Sequence, residues 1–257
     1  AKPLLCERTG DDEKKEVTLK RFERDFGRKA LALNYVGKEL SSTEIKLRIM
    51  LGLSVDGMVK SAVNEYIGRH SVYKADKFFM FVKENEKPKR VEHTLGVMLM
   101  ATDLAKKEGV SVSKALLAAL LHDSGKYLRP ENYPECEIPC GTPEPVVHQY
   151  VGAYIAEKVL GVNDEEVIDA IRYHTTGKEN MSLLGKIIFT ADMLERGRNY
   201  EGVEKLRQIT KENFEEGFKA SLSRSLDFVK ESGRPICELT QKACDYYFKQ
   251  EIKNGSN

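Results

Sequence analysis

The sequence predicts an all-α protein: a helical bundle preceded by a short N-terminal segment of mixed character. From Val91 onward apolar residues recur at helical spacing and strand signals are absent, while Gly109, Gly161 and Gly197 stand where helix C-caps belong. Hydrophobic residues make up 41% of the chain, enough for a folded core. The pattern places helices at about residues 91–108, 113–123, 147–160, 165–174, 182–196, 203–230 and 236–249.

The N-terminal segment gives weaker signals. Residues 11–29 are highly charged, with too few apolar residues to predict an element, and residues 30–36 read as a short extended piece. Ser41 is followed three positions later by Glu44, a capping-box pattern that predicts the start of a helix. Gly52 is expected to end that helix.

A boundary between two domains is expected near residue 70. A second short helix is predicted from about Val59 to Ile67. The segment that follows, Ser71 to Arg90, is rich in Lys and Phe and contains Pro88, which breaks the helical pattern. The sequence therefore predicts a small domain over residues 1–70 and a larger one over residues 71–257.

Overall charge argues against nucleic acid or a membrane surface as a partner. Lys+Arg number 41 and Asp+Glu 40, a formal net charge of +1, so no global field attracts the chain to a polyanion. No apolar run approaches the roughly 20 residues that span a bilayer, and residues 1–10 lack the apolar core of a signal peptide. We expect a cytoplasmic protein that holds any anionic ligand with local groups.

The five cysteines, Cys6, Cys136, Cys140, Cys237 and Cys244, are odd in number and scattered. That arrangement favours reduced thiols over a disulfide framework. The close pair in the Pro-rich loop would suit half of a zinc site, but no second thiol pair follows it.

Chemistry is concentrated in histidines and acids on the inner faces of the predicted helices. Asp192 lies four residues after Ile188 and eight after Leu184, on an apolar face. An unpaired charge there would cost of order 20 kcal/mol by an idealised Born estimate, so the carboxylate requires a metal ion, a paired cation or a raised pKa. A mixture of imidazole and carboxylate ligands suits divalent metals. The set comprises His93, His122, Asp123, His148, His174 and Asp192.

Each member of the set also has an ordinary structural interpretation. A single histidine on an apolar face is usually a hydrogen-bonded core residue, Asp123 would serve as a helix cap, and Asp192 would pair with Arg196 one turn on. Four inward histidines and two inward acids on separate helices are unlikely to coincide by chance. Together they favour a metal site.

The motifs around these residues resemble the HD superfamily of metal-dependent phosphohydrolases, and in particular its bacterial YqeK branch. The resemblance covers about residues 74–250. The matching stretches are residues 118–126, His148 with Gly152 and Ala153, residues 170–177, and residues 191–195 with Arg198. The resemblance implies an HD-domain helical bundle and a symmetrical bis(5'-nucleosyl)-tetraphosphatase, which converts diadenosine tetraphosphate to two ADP with a metal-activated water.

Roles for the residues follow from the same resemblance. His93, His122, Asp123 and Asp192 would hold one metal, and Asp123 could bridge to a second. His148 and His174 would bind the second metal or contact the substrate phosphates. Iron is the favoured metal, with manganese, cobalt and zinc as alternatives.

Catalytic and substrate-binding roles are predicted for residues near these ligands. Asp123 and Lys126 are the predicted catalytic residues, because a lysine one turn beyond the ligands can reach a phosphate or protonate the leaving group. The predicted substrate-binding residues are Lys126, Thr175, Thr176, Gly177, Arg196 and Arg198. Arg90, just before the first histidine helix, is a weaker candidate.

The N-terminal part resembles the C-terminal end of a nicotinate-mononucleotide adenylyltransferase. The resemblance rests on residues 40–49 and 59–67. The family's HxGH motif is missing, and no Rossmann βαβ unit is expected before these residues. Residues 1–70 are therefore interpreted as a remnant with a partial α/β fold, from a fusion protein or a truncation, without adenylyl-transfer activity.

Two alternatives stay open at this point. One is another HD enzyme, which cleaves a cyclic dinucleotide, a deoxynucleotide or an alarmone. The other is a non-catalytic nucleotide-binding module attached to an adenylyltransferase. In each case the expected partner is a small-molecule nucleotide, and the oligomeric state, including a homodimer, is left undetermined.

Overall fold

A computed structural model describes residues 4–7, 12–36 and 40–254 of the chain. It divides into two compact units, one made of residues 1–47 and 55–70 and the other of residues 48–54 and 71–257. No helix within the described part is both long and apolar enough to cross a bilayer.

The first unit contains two parallel strands joined by a helix. Strand β1 (Leu4–Glu7) pairs with β2 (Leu31–Val36), with Leu4 opposite Leu31, and α1 (Asp12–Phe26) connects them. Parallel neighbours require such a crossover. Helices α2 (Ser42–Leu51) and α3 (Ser61–Arg69) follow.

This βαβ arrangement corrects the expectation that no such unit precedes residue 40. The extended piece at residues 30–36 is confirmed as β2, but residues 11–29 were expected to form no element, whereas most of them form α1. The helix was missed because its sequence is dominated by charged residues, and its apolar residues Val17 and Phe26 are 65% and 66% exposed. None of the described side chains of α1 is buried, so the apolar spacing in this segment gives only a weak signal among its charged residues.

The second unit is a bundle of helices, which confirms the predicted fold class. Its elements are α4 (Lys77–Asn85), α5 (Pro88–Glu108), α6 (Val112–Leu121), α7 (Val147–Tyr154), α8 (Glu165–Arg172), α9 (Leu183–Leu194), α10 (Val203–Glu212), α11 (Phe214–Glu231) and α12 (Glu238–Asn254).

The centre of the bundle is formed by α5, α6, α8 and α9. Helix α5 packs against α6 and α9, and α8 packs against α6, α7 and α9. Leu95, Met98, Leu121, Ile171 and Ile188 are fully buried there. Each such side chain contributes roughly 1.5–3 kcal/mol through burial, so these helices form a rigid frame for polar groups placed between them.

Two of the differences from the predicted helices bear on the later argument. The helix expected over residues 203–230 is two helices, because Asn213 has extended backbone (φ −143°, ψ 113°) and its side-chain oxygen accepts from the N–H of Glu216. Asparagine favours this cap over the helix interior, and the apolar spacing on either side gives no sign of the break. Helix α8 ends at Arg172 instead of residue 174, so His174 lies in a turn.

Candidate metal centre

The six predicted ligands come from five different places in the bundle. Helix α5 supplies one histidine, the end of α6 a His-Asp pair, α7 a histidine, the turn after α8 a histidine and α9 an aspartate. The structure brings all six together, in the order His93, His122, Asp123, His148, His174 and Asp192. Groups of these side chains place their ligand atoms within 4.8 Å of one another.

Oxygen Oδ2 of Asp123 faces one group of ligands, which we call the Oδ2 side. His122 Nε2 lies 3.6 Å and His93 Nε2 3.9 Å from this oxygen. Asp192 Oδ1 completes the side, 3.0 Å from His93 Nε2 and 4.0 Å from His122 Nε2. Two imidazoles and two carboxylates therefore surround one small space.

The other oxygen of Asp123, Oδ1, faces a second group, the Oδ1 side. His148 Nε2 lies 3.2 Å and His174 Nε2 3.5 Å from it, and the two Nε2 atoms are 3.2 Å apart. The hydroxyl of Thr175 lies 2.9 Å from His174 Nε2. One carboxylate thus lies between two separate histidine pairs.

Hydrogen bonds to the backbone fix which histidine nitrogens are free to bind a cation. Nδ1 of His122 lies 2.7 Å from the carbonyl oxygen of Ala119, and Nδ1 of His174 2.7 Å from that of Ile171. A carbonyl only accepts, so each Nδ1 carries the hydrogen and each Nε2 offers a lone pair. Nε2 of His122 faces Nε2 of His93 at 3.3 Å. Facing lone pairs are stable only with a cation or a proton between them, so these residues fit a metal ion.

Burial and charge favour the metal-binding protonation states. Burial lowers the pKa of His122 to about 3, and burial also lowers the pKa of His148. Burial alone would raise the pKa of Asp123, but His122, His148 and His174 hold it well below the ordinary value. Asp192 likewise keeps a pKa well below the ordinary value against its burial, because Arg198 and His93 lie beside it. At neutral pH the two carboxylates are therefore ionised, and His122 and His148 are neutral imidazoles. Although burial opposes it, hydrogen bonds to Asp192 and Glu195 raise the pKa of His93.

Glu195 is a functional residue that the sequence analysis missed. Its Oε1 lies 3.1 Å from Nδ1 of His93, which directs the Nε2 of that ring towards Asp192. The carboxylate is buried beside Gly96, where a Cβ would come within 2.2 Å of Glu195 Oε2. The available signal was proximity in sequence, because Glu195 follows Asp192 by three residues at the C-cap of α9.

Close packing between the turn after Asp123 and helix α7 positions His148. A Cβ on Gly125 would lie 2.4 Å from the carbonyl oxygen of His148 and 2.5 Å from the backbone nitrogen of Gly152. Only glycine lets α7 approach the turn after Asp123 so closely. The close packing of two backbones explains how His148 reaches Asp123.

Three cationic side chains border the ligands. Arg90 donates to Asp123 Oδ2 at 2.7 Å, and Arg198 donates to both the side chain and the backbone carbonyl of Asp192. Lys126 Nζ lies 3.3 Å from the ring nitrogens of His148, and burial lowers its pKa. Arg90, ranked as a weaker candidate from sequence, thus contacts the central carboxylate directly.

The predicted substrate-binding residues do not all reach the site. Lys126, Thr175 and Arg198 line a cavity of about 290 Å³ that contains the ligands. Thr176, Gly177 and Arg196 are not among the residues that line it.

The physical reason is visible for the two turn residues. Thr176 is fully buried, and its hydroxyl donates to the carbonyl oxygen of Gly177 and contacts the amide of Gln149. The N–H of Gly177 donates to the carbonyl of Tyr173. The backbone N–H groups of both residues and the Thr176 hydroxyl are thus occupied within the protein, so they have no free donors for phosphate. Arg196 is exposed.

The described cysteines are free thiols, as expected, and the side chain of Cys6 lies outside the described residues. The candidate zinc pair Cys136 and Cys140 belongs to no group of potential ligands in the described part of the chain. Among the described residues, the histidine and aspartate cluster is therefore the candidate metal site.

Comparison with known proteins agrees with this geometry. Residues 90–197 match the HD domain family. A protein of Halalkalibacterium halodurans named symmetrical bis(5'-nucleosyl)-tetraphosphatase is 39% identical over 168 residues, which cover 62% of this chain and 89% of that protein. A Mycoplasma genitalium protein named probable nicotinate-nucleotide adenylyltransferase/Ap4A hydrolase is 30% identical over 193 residues, 68% of this chain and 52% of that protein.

A solved structure supports the same assignment. It is a predicted HD superfamily hydrolase involved in NAD metabolism from Clostridium acetobutylicum, with 35% sequence identity and a TM-score of 0.64. The match covers 68% of this chain and 97% of that one. The chain belongs to the HD family of hydrolases, in the group that includes the symmetrical bis(5'-nucleosyl)-tetraphosphatases.

Proposed function

We propose that this protein hydrolyses diadenosine tetraphosphate symmetrically to two ADP in a metal-dependent reaction. The observation that carries the proposal is the carboxylate of Asp123, whose two oxygens face two separate histidine pairs. The names of the relatives from Halalkalibacterium halodurans and Bacillus subtilis, symmetrical bis(5'-nucleosyl)-tetraphosphatase, support the choice of substrate.

His93, His122, Asp123 and Asp192 would hold one metal ion, and His148, His174 and the other oxygen of Asp123 would hold a second. A metal in such a site polarises phosphoryl oxygens and lowers the pKa of a bound water from about 15.7 towards 7. The donor set of imidazole and carboxylate suits iron, manganese, cobalt or zinc, and the resemblance to the YqeK branch favours iron.

The cationic side chains around the ligands would orient the phosphates. Arg90 and Arg198 line the cavity, and each guanidinium keeps donors beyond those it uses on Asp123 and Asp192. Arginine binds phosphate oxygens with two parallel donors, so these side chains would hold the tetraphosphate against the metal centre.

Lys126 would supply the proton to the leaving group. In symmetrical hydrolysis the central P–O–P bond breaks, the water oxygen joins one of the two phosphorus atoms, and the second ADP leaves with the bridging oxygen. Lys126 lines the cavity beside His148, and burial lowers its pKa, which makes its ammonium a better acid. General acid catalysis of this kind contributes typically 100- to 10000-fold.

An assay with diadenosine tetraphosphate tests the substrate and the bond cleaved. The protein is incubated with the dinucleotide and separately with a cyclic dinucleotide, a deoxynucleoside triphosphate and an alarmone, and products are separated by chromatography. We expect two ADP from the dinucleotide and much slower turnover of the others. ATP plus AMP would contradict symmetrical cleavage, and faster turnover of another nucleotide would favour a different HD enzyme.

Metal analysis tests the cofactor. Protein purified without chelator is expected to contain near-stoichiometric transition metal, predominantly iron. Removal by a chelator should abolish hydrolysis, and addition of iron should restore it. Full activity in a metal-free preparation would exclude the proposed centre, while restoration by manganese, cobalt or zinc but not iron would change the metal alone.

We also propose that residues 1–70 correspond to the C-terminal end of a nucleotidyltransferase-like domain and residues 71–257 to the HD domain. The βαβ unit of residues 4–36 and the two-part name of the Mycoplasma relative support this division. No histidine precedes His70, so an HxGH motif is absent from residues 1–70. We therefore expect no adenylyl transfer from nicotinate mononucleotide and ATP, and dinucleotide formation by this chain would contradict the assignment.

A further inference from the structure

Two cavities open from the metal centre. The smaller, about 290 Å³, contains the ligands, and the larger, about 1010 Å³, lies beside it. Both are lined by Lys126, His148, Pro145 and Arg234, so they meet at the Oδ1 side of the centre. A substrate with a reactive middle and two long arms requires this arrangement of two spaces around one junction.

The two cavities differ in chemistry. The smaller is lined by apolar groups of α11 and the following loop, including Phe228, Val229 and Ile236. Phe228 is 52% and Ile236 39% exposed, and both line the cavity that contains the metal ligands. Phe228 makes no aromatic contact within the described part of the chain, so about half of its surface is open to a ligand in this cavity.

The larger cavity is polar and carries charged groups of both signs away from the metal ligands, with Glu131 and Glu144 among its lining residues. Arg129 lines only this cavity, and Arg234 lines both. Neither guanidinium has an ion-pair partner among the residues that the structure describes. Unpaired guanidinium groups in a cavity are suited to phosphate oxygens.

We propose that the two arms of the dinucleotide occupy different subsites: one adenine stacks on Phe228 in the smaller cavity, and the other arm extends into the larger cavity, where Arg129 contacts its phosphates. This inference rests on the proposed function. A purine has a large planar face, and stacking on an aromatic side chain adds roughly 1–3 kcal/mol per base, about 5- to 150-fold in affinity. Chemically identical arms are thus held by different interactions.

The two subsites can be tested independently by comparing the dinucleotide with ADP. ADP has a single arm and should prefer the stacking site. Phe228→Ala is expected to raise KM for diadenosine tetraphosphate and the inhibition constant of ADP by about 10-fold each, with little change in kcat. Phe228→Tyr should restore both values, and Phe228→Leu should not. Arg129→Ala should raise KM for the dinucleotide several-fold and leave the inhibition constant of ADP unchanged.

Phe26→Ala is the matched control, because Phe26 is 66% exposed on α1 and belongs to the other unit. Its KM and ADP inhibition should equal those of the wild type. Unchanged KM in Phe228→Ala, or full function in Phe228→Leu, would overturn the stacking subsite. Equal effects of Arg129→Ala on the dinucleotide and on ADP would overturn the separation of the arms.

Calorimetric titration of ADP into the metal-loaded protein gives the same comparison without turnover. If the wild type does not cleave diadenosine tetraphosphate, the proposed function fails, yet a 10-fold weaker ADP affinity in Phe228→Ala would still support the base subsite. Equal ADP affinities in the wild type and Phe228→Ala would refute that subsite even if hydrolysis is confirmed.

Discussion

The two sides of the Asp123 carboxylate contain different kinds of ligand side chain. On the Oδ2 side a second carboxylate, Asp192, joins the imidazoles, and Glu195 orients His93 from behind. On the Oδ1 side His148 and His174 have no carboxylate besides Asp123 among the described contacts; the hydroxyl of Thr175 and the ammonium of Lys126 lie beside them. Negative charge retains a cation, so the Oδ2 side should bind its metal more tightly.

The comparison also indicates that the two sides have different roles in the reaction. The Oδ1 side carries Lys126 and lies where the two cavities meet, so it is the side open to the leaving group. The Oδ2 side is enclosed by Arg90 and Arg198, which are paired with the carboxylates. We infer that the Oδ2 side chiefly holds metal and that the Oδ1 side exchanges groups with the substrate.

Loss of the shared carboxylate should have the largest effect, because it removes a ligand from both sides at once. Asp123→Ala is expected to reduce kcat by about 1000-fold or more and to lower metal content on both sides. Turnover is measured with diadenosine tetraphosphate and metal by elemental analysis. Asp103→Ala, at a side chain 83% exposed on α5, is the control and should match the wild type. Substantial turnover by Asp123→Ala would contradict a catalytic centre built on this carboxylate, whereas no turnover by the wild type would favour the non-catalytic binding module.

Two further variants separate the sides. Asp192→Asn removes a charged ligand from the Oδ2 side without changing its size, and His174→Gln removes a neutral ligand from the Oδ1 side. Changes in residues that only orient ligands typically cost 10- to 100-fold in metal affinity, so a direct charged ligand should cost at least about 100-fold. We expect Asp192→Asn to lose more metal than His174→Gln in competition with a chelator. The reverse order would contradict the proposed difference between the sides.

Glu195 provides a finer test, because it orients a ligand without belonging to the set. The neighbouring His93 and the N–H of Gly197 hold the pKa of Glu195 below its ordinary value although burial opposes this, so it is an ionised acceptor for the imidazole N–H. Glu195→Gln should weaken metal binding by about 10-fold and kcat by less than Asp192→Asn does. Glu238→Gln, at a side chain 80% exposed on α12, is the control. Equal metal affinities in Glu195→Gln and the wild type would remove the positioning role.

Much of the centre could be predicted from residue type and helical spacing. A histidine or aspartate on an apolar helix face has few stable environments. His93 and Asp192 could therefore be assigned to the protein interior from the sequence alone. Glu195 could not be assigned, because its partner depends on how α5 and α9 cross at Gly96. The burial of Thr176 could not be predicted either, because α8 ends at Arg172, two residues before its predicted end.

The fold shows the same limit. The bundle was predictable from apolar stripes, but the break at Asn213 depends on one capping side chain between two helical patterns. None of the described side chains of helix α1 is buried, and its sequence gave only a weak signal. Phe228 and Arg234 belong to helices and loops distant in sequence from the motifs, and only the packing of α11 against α9 brings this region to the cavity.

A comparison of two buried carboxylates, Glu195 and Glu86, shows how hydrogen-bond and ionic partners control ionisation near the Oδ2 side. Glu86 precedes α5 and accepts a hydrogen bond from Thr94 with one oxygen, while its other oxygen has no partner in the described structure. Burial raises the pKa of Glu86 to about 7 from 4.5, whereas the partners of Glu195 lower its pKa. Ionisation of Glu86 thus destabilises the folded state, whereas ionisation of Glu195 is stabilised by its partners.

Glu86→Gln should therefore change stability, with the smallest effect of the series on turnover. Above pH 7 the wild-type carboxylate is ionised while buried, and the difference between 4.5 and about 7 corresponds to roughly 3 kcal/mol lost by the folded state. Below pH 4.5 the group is protonated in both states and the loss disappears. Wild-type stability should fall as pH rises from about 4.5 to 7, and the glutamine variant should lack that decline.

Chemical denaturation at pH 5 and pH 8 measures the difference, with Glu238→Gln as the exposed control. We expect Glu86→Gln to be more stable than the wild type at pH 8 and nearly equal to it at pH 5, with kcat within about 3-fold of the wild type because Glu86 touches no ligand. Lower stability of the variant at pH 8 would mean that the ionised carboxylate is compensated by Arg90 and His93, whose charges act on Glu86. In that case Glu86 would join Glu195 as a support of the Oδ2 side.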